Sequence, residues 1–151
     1  KGGRTDELLD WIVGSVVPLV RARFPVVEGA VGASIGGSSL GGLAALYAHH
    51  RNPEAFGGAI CMSPSLWFAG RAIFGFVGAR ARPSISRVYL DCGAREGRGR
   101  MIALAAEMAE LLRRRGYAPE QLLWRPDPRG GHSEAHWRRR LPKALRFMFR
   151  S

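Results

Sequence analysis

The chain contains no apolar run approaching eighteen residues, which excludes a membrane-spanning helix. Its start, KGGRTDELLDWIV, lacks the basic, apolar and small-residue regions of a signal peptide, so the expected location is cytoplasmic, with no membrane partner. Cysteine is scarce. Cys61 and Cys92 show neither CxxC nor zinc spacing, which argues against a disulfide framework or a metal site and for buried free thiols. Both GxxxxGK[ST] and GxGxxG are absent, so nothing points to a nucleotide, and no cofactor is expected. Acidic residues are also few, 12 against 23 basic ones, and nearly all of the resulting +11 is arginine. Such a surplus can attract an anionic polymer. The arginines, however, fall in small separated groups without interleaved aromatics or a nucleic-acid motif, and a solvated basic surface is the plainer reading.

At 151 residues, 46% of them hydrophobic, the chain has the size and apolar content of a single domain, 1–151. Leu8, Leu9, Ile12, Val16, Leu19 and Val20 recur at helical spacing from Asp6 to about Phe24, and Pro18 should kink or split that helix. GAVGASI, GGAICMS, RVYLDCG and QLLWRPD read as short buried strands. A helix follows Ser39 and stops at Asn52 and Pro53. A second, MIALAAEMAELLRRRG, closes on Gly116, and a third, EAHWRRRLPKALRFMF, contains Pro142. Residues 68–86 show no clear pattern and are expected to be an irregular excursion with at most a helical turn. Strands alternating with helices predict a mainly parallel sheet with helices on both faces, an α/β fold.

Gly37-Ser38-Ser39-Leu40-Gly41 matches GxSxG, in which a sharp strand-to-helix turn lifts the central serine above the carboxyl edge of a sheet. Glycines two positions to either side remove collisions at that turn, and the amide of Leu40 can donate to a developing oxyanion. The same run could be only a glycine-rich turn or a phosphate-binding loop. An acid and a histidine decide the matter, because a serine hydroxyl needs a base and the base needs a carboxylate. The order Ser, acid, His is met by Ser39, Glu96 beyond RVYLDCG and His132 beyond QLLWRPD. Asp91, inside its strand, competes with Glu96. His136 competes with His132, and the two form HxxxH, though without the glutamate of HExxH. His49 and His50 end the helix after Ser39, where the dipole would account for them.

GGSSLGGLAALYAHHRNPEAFGGAICMSPSLWF, VYLDCGAREG and GGHSEAHWRRRLPKALRFMF together resemble the putative esterase family of α/β hydrolases. This is the group of enterochelin-type siderophore esterases, feruloyl esterases, esterase D and the antigen 85 mycolyltransferases. The resemblance implies a serine carboxylic-ester hydrolase with Ser39, His132 and Glu96 as triad, forming an acyl-enzyme on a small-molecule ester. An acyltransferase of the same fold would use the same residues, and a non-catalytic basic module is the alternative from another class. The resemblance also offers Ser63, Trp67 and Phe68, in MSPSLWF, as substrate contacts, or as residues packed under the site. Family members carry several strands before the first helix read here, with the loop that gives the second oxyanion N–H. The expected architecture is therefore an incomplete α/β-hydrolase fold, the carboxyl-terminal portion of such a domain, without its amino-terminal strands.

Overall fold

A computed structural model describes residues 3–149. Four parallel strands, β1 (Ser34–Ser38), β2 (Gly58–Met62), β3 (Arg87–Gly93) and β4 (Leu122–Asp127), lie side by side in chain order. The register pairs Ser38 with Met62, Met62 with Asp91 and Gly93 with Asp127, so the four carboxyl ends share one rim. Sequential parallel strands need crossover connections, and helices supply them.

Six α-helices are described: α1 (Thr5–Trp11), α2 (Val17–Arg23), α3 (Leu40–Arg51), α4 (Phe68–Gly78), α5 (Arg100–Arg114) and α6 (Glu134–Met148). Alternation along the strands divides the core. Ala59, Cys61, Val88, Leu90 and Cys92 pack with buried residues of α3, α4 and α5, whereas Ile60, Met62 and Tyr89 pack with Ala144, Phe147 and Met148 of α6. Helices thus cover both faces, as the alternating pattern predicts, and both cysteines are buried free thiols. Helix α5 buries Ala105, Met108, Ala109 and Leu112 on one stripe. It ends in a Schellman turn: Gly116 (φ 89°) donates to Arg113 O at 2.9 Å and Tyr117 to Leu112 O at 3.2 Å. Among the described residues no helix is long and apolar enough to cross a membrane.

Three local expectations are corrected. GAVG does not open a strand: Ala30–Gly32 is a 3-10 turn and β1 begins at Ser34. Pro18 does not split the first helix into separated pieces. A π-helical turn, Ile12–Val16, joins α1 to α2, and Pro18 lies in the first turn of α2, where its missing N–H costs least. Residues 68–86 are not mainly irregular, since α4 occupies Phe68–Gly78. Its first turn is distorted, with left-handed backbone at Ala69, Gly70 and Arg71, and that break hides the helical period.

Candidate active site

Helix α3 starts directly from β1, and the turn between them is Ser39, with φ 57° and ψ −121°. A serine in this conformation is strained, and the surrounding structure must hold it there. The Ser39 amide donates to Met62 O at 2.9 Å, and its carbonyl accepts from the amides of Leu43 (3.1 Å) and Ser65 (3.0 Å). A β-carbon at Gly37 would lie 2.6 Å from the Gly41 carbonyl carbon, so glycine is required there; one at Gly41 would meet nothing within 4 Å. The expected double requirement therefore holds at one flank only. Leu40 is the first residue of α3, and its amide has no acceptor within the helix.

Three side chains from three loops meet at the rim. His132 Nδ1 lies 2.7 Å from Glu96 Oε2, and His132 Nε2 lies 2.9 Å from Ser39 Oγ. A carboxylate only accepts, so Nδ1–H donates to Glu96 and Nε2 is left to accept the Ser39 hydroxyl proton. With its own hydrogen so directed, Ser39 Oγ accepts from Ser65 Oγ at 3.2 Å. The His132 ring stands edge-on to Trp137, with centroids 4.9 Å apart.

Glu96 is buried and fully engaged. Its Oε1 accepts from the Gly93 amide and the Ser63 hydroxyl, both at 2.7 Å, and lies 3.5 Å from Arg140 Nη2. Burial alone would raise this carboxyl, but the hydrogen bonds from His132, Ser63 and Gly93, with Arg140 nearby, outweigh it and hold the group below its ordinary range. Asp91 does not compete for the histidine. It is buried under the rim, where Tyr89 Oη (3.0 Å) and the Ser63 amide (3.1 Å) donate to it and Arg140 Nε pairs with it at 3.3 Å. Desolvation pushes its pKa up to about 6 against the pull of Arg140.

Of the three residues expected at a substrate pocket, Trp67 is exposed. Phe68 lines a cleft of ≈ 470 Å³ together with Leu40, Leu43, Tyr47, Ile73 and Phe76. Ser63 is elsewhere: it is wholly buried, with φ 44°, behind Glu96. Its hydroxyl donates to Glu96 and accepts from Trp137 Nε1 (3.1 Å) and Arg140 Nη2 (2.7 Å). It therefore packs under the site and cannot touch a substrate, the second of the two roles open to it.

His136 is turned away from Ser39, with Nδ1 3.3 Å from Arg139 Nη2. Among the described residues no cluster of His, Cys, Asp and Glu could hold a metal ion. His49 and His50 are not explained by the helix dipole. Both are buried: His49 Nδ1–H donates to Phe56 O at 2.9 Å and Nε2 accepts from Ser86 at 2.7 Å, while His50 Nδ1–H donates to Leu46 O and Nε2 accepts from Tyr117. Burial pushes the His49 pKa down to about 4, so it is uncharged at neutral pH and has no charge for the dipole to stabilise.

Ser65, Trp137 and Arg140 carry no motif of their own and were not expected at the site. Ser65 could have been found from its place two residues beyond Ser63, on the loop leaving β2 at the common rim.

The model of the family described as "Putative esterase" matches residues 1–148. The iron(III) enterobactin esterase of Escherichia coli (strain K12) is 32% identical over 139 residues, covering 86% of this chain and 33% of its own length. The siderophore triacetylfusarinine C esterase of Aspergillus fumigatus is 47% identical over 66 residues, covering 44% of this chain and 22% of its own length. In three dimensions the chain is similar to the enterobactin esterase of Shigella flexneri, with a TM-score of 0.82 and 26% identity over 95% of this chain and 38% of that one. It thus spans less than half the length of each of these relatives.

Proposed function

Because this chain belongs to the putative esterase family, we propose that it is a serine carboxylic-ester hydrolase in which Ser39, His132 and Glu96 act together, and that residues 1–151 are the carboxyl-terminal portion of an α/β-hydrolase domain. The observation that carries the reading is the continuous hydrogen-bonded line from hydroxyl to imidazole to carboxylate, 2.9 Å and then 2.7 Å.

Ser39 Oγ attacks the ester carbonyl while His132 Nε2 takes its proton. The resulting imidazolium is held against Glu96, which is kept ionised for that purpose by its donors. The carbonyl oxygen becomes an oxyanion facing the start of α3, where the Leu40 amide and the helix dipole favour negative charge. Collapse expels the alcohol, which His132 protonates, and leaves an acyl-Ser39 ester. Water, deprotonated by His132, then attacks that ester and regenerates the serine. No cofactor is needed. An alcohol in place of water would turn the same residues into an acyltransferase, and partition of the acyl group between water and added alcohol separates the two.

The substrate is a small-molecule ester. One relative is named a siderophore triacetylfusarinine C esterase and another an iron(III) enterobactin esterase, and the cleft beside Leu40 is mostly apolar, so it suits an apolar or aromatic acyl group. Phe68 lines this pocket, and Trp67, its exposed neighbour in the chain, is proposed as a further substrate contact. Leu40 is the oxyanion donor assigned here. The test is hydrolysis of a p-nitrophenyl acyl ester. Ser39→Ala is expected to reduce it to the rate of buffer. Equal rates in the two proteins would overturn the assignment.

A further inference from the structure

On the far side of the loop that carries His132, a cavity of ≈ 300 Å³ lies between the end of β4 and α6. Arg125, Arg129, Arg139, Arg140 and Lys143 line it, against a single carboxylate, Asp127. Asp127 is committed to Arg139 Nη2 at 2.9 Å. Among the described residues, the side chains of Arg125, Arg129 and Lys143 make no hydrogen bond or ion pair. Arg140 is different in kind: it is 6% exposed, its Nε and Nη2 face Asp91, Glu96 and Ser63, and its Nη1 is buried with no hydrogen-bond partner.

Each of these facts has a cost when the cavity is empty. A buried guanidinium N–H without an acceptor forfeits the desolvation energy of a charged donor. Several like charges around one concavity repel one another, and low-dielectric walls strengthen that repulsion. Both penalties vanish on binding an anion with several acceptor oxygens, the group for which arginine forks are suited. The cavity's volume is at the lower end of small-ligand pockets.

We propose that this cavity is a binding site for a small polyvalent oxyanion, phosphoryl or polycarboxylate in chemistry, with Arg140 at its floor and Arg129 and Lys143 at its mouth. Ser39 does not line this cavity and the proposal does not rest on the esterase reading, although Arg140 also faces Glu96.

The test is calorimetric titration of the whole chain with inorganic pyrophosphate at constant ionic strength, beside two variants that lose equal charge. Arg129→Ala/Lys143→Ala removes two exposed cations of the cavity; Arg113→Ala/Arg114→Ala removes two from α5. The expected result is saturable binding of one equivalent, weakened ~10-fold or more by the first pair and within ~2-fold of the parent for the second. Heat that never saturates, or equal weakening by both pairs, would mean adventitious charge attraction and would overturn the proposal.

Discussion

At the level of single residues, Ser63 shows how much of the site lies behind the Ser39, His132 and Glu96 side chains. Its hydroxyl is the hub through which Glu96, Trp137 and Arg140 are joined. Ser63→Ala keeps the backbone but leaves the partly buried Trp137 indole N–H without its acceptor and Arg140 Nη2 with only the longer contact to Glu96 Oε1, 3.5 Å. The expected cost is about 2–3 kcal/mol of stability and, because Glu96 loses one of its donors, a fall in kcat on the order of 10-fold with KM little changed, measured on the p-nitrophenyl ester. A purely structural role for Ser63 would leave kcat per folded molecule unaltered. Of this hub, Glu96 and Ser63 could be named from the sequence, but the pairing of Ser63 with Trp137 and Arg140 could not. Ser39, Glu96 and His132 announce themselves by a motif and by positions after strands. Ser63 and Arg140 are tied by pairing across 77 positions, which local pattern does not encode.

Among the elements, the β1–α3 turn carries the sharpest contrast. GxSxG treats its two glycines alike, but only a side chain at position 37 meets backbone. Gly37→Ala is expected to destabilise by about 1–3 kcal/mol through overpacking at the turn. Gly41→Ala, on the first turn of α3, should be neutral or stabilising by up to about 1 kcal/mol, since alanine is the better helix former. Denaturant unfolding of both variants checks the pair. If both lost the same stability, the turn would be built differently. Strands β2, β3 and β4 and helices α5 and α6 were legible within a residue or two, because buried apolar runs and a helical stripe are local signals. Helix α4 was hidden by its left-handed first turn and β1 by its small, half-exposed residues. The tertiary pairing with β2 makes β1 a strand, not its propensity.

For the molecule as a whole, two buried groups pull its pH dependence in opposite directions. His49 has its pKa depressed from 6.5 to about 4, so the stability linked to it is fully present above pH 6.5 and is lost as pH falls through that window. Asp91 is raised from 3.8 to about 6, so its contribution is present below 3.8 and is lost as pH rises through 6. The two offset each other in part between pH 4 and 6, while His50 and Glu96, both shifted down, add to the His49 side. His49→Gln isolates one of them. The stability advantage of the parent over this variant should shrink by about 3 kcal/mol between pH 6.5 and 4, read from urea unfolding across that range. An advantage independent of pH would contradict a neutral buried His49.

The most direct test of the central claim, that a hydroxyl made nucleophilic by an imidazole and a carboxylate stands on the common rim, is intact-mass and peptide mapping after exposure to a fluorophosphonate. One adduct, on Ser39, absent from Ser39→Ala and strongly slowed in Glu96→Gln, is the predicted result. No adduct at Ser39, or one that forms as fast without the Glu96 carboxylate, would contradict it.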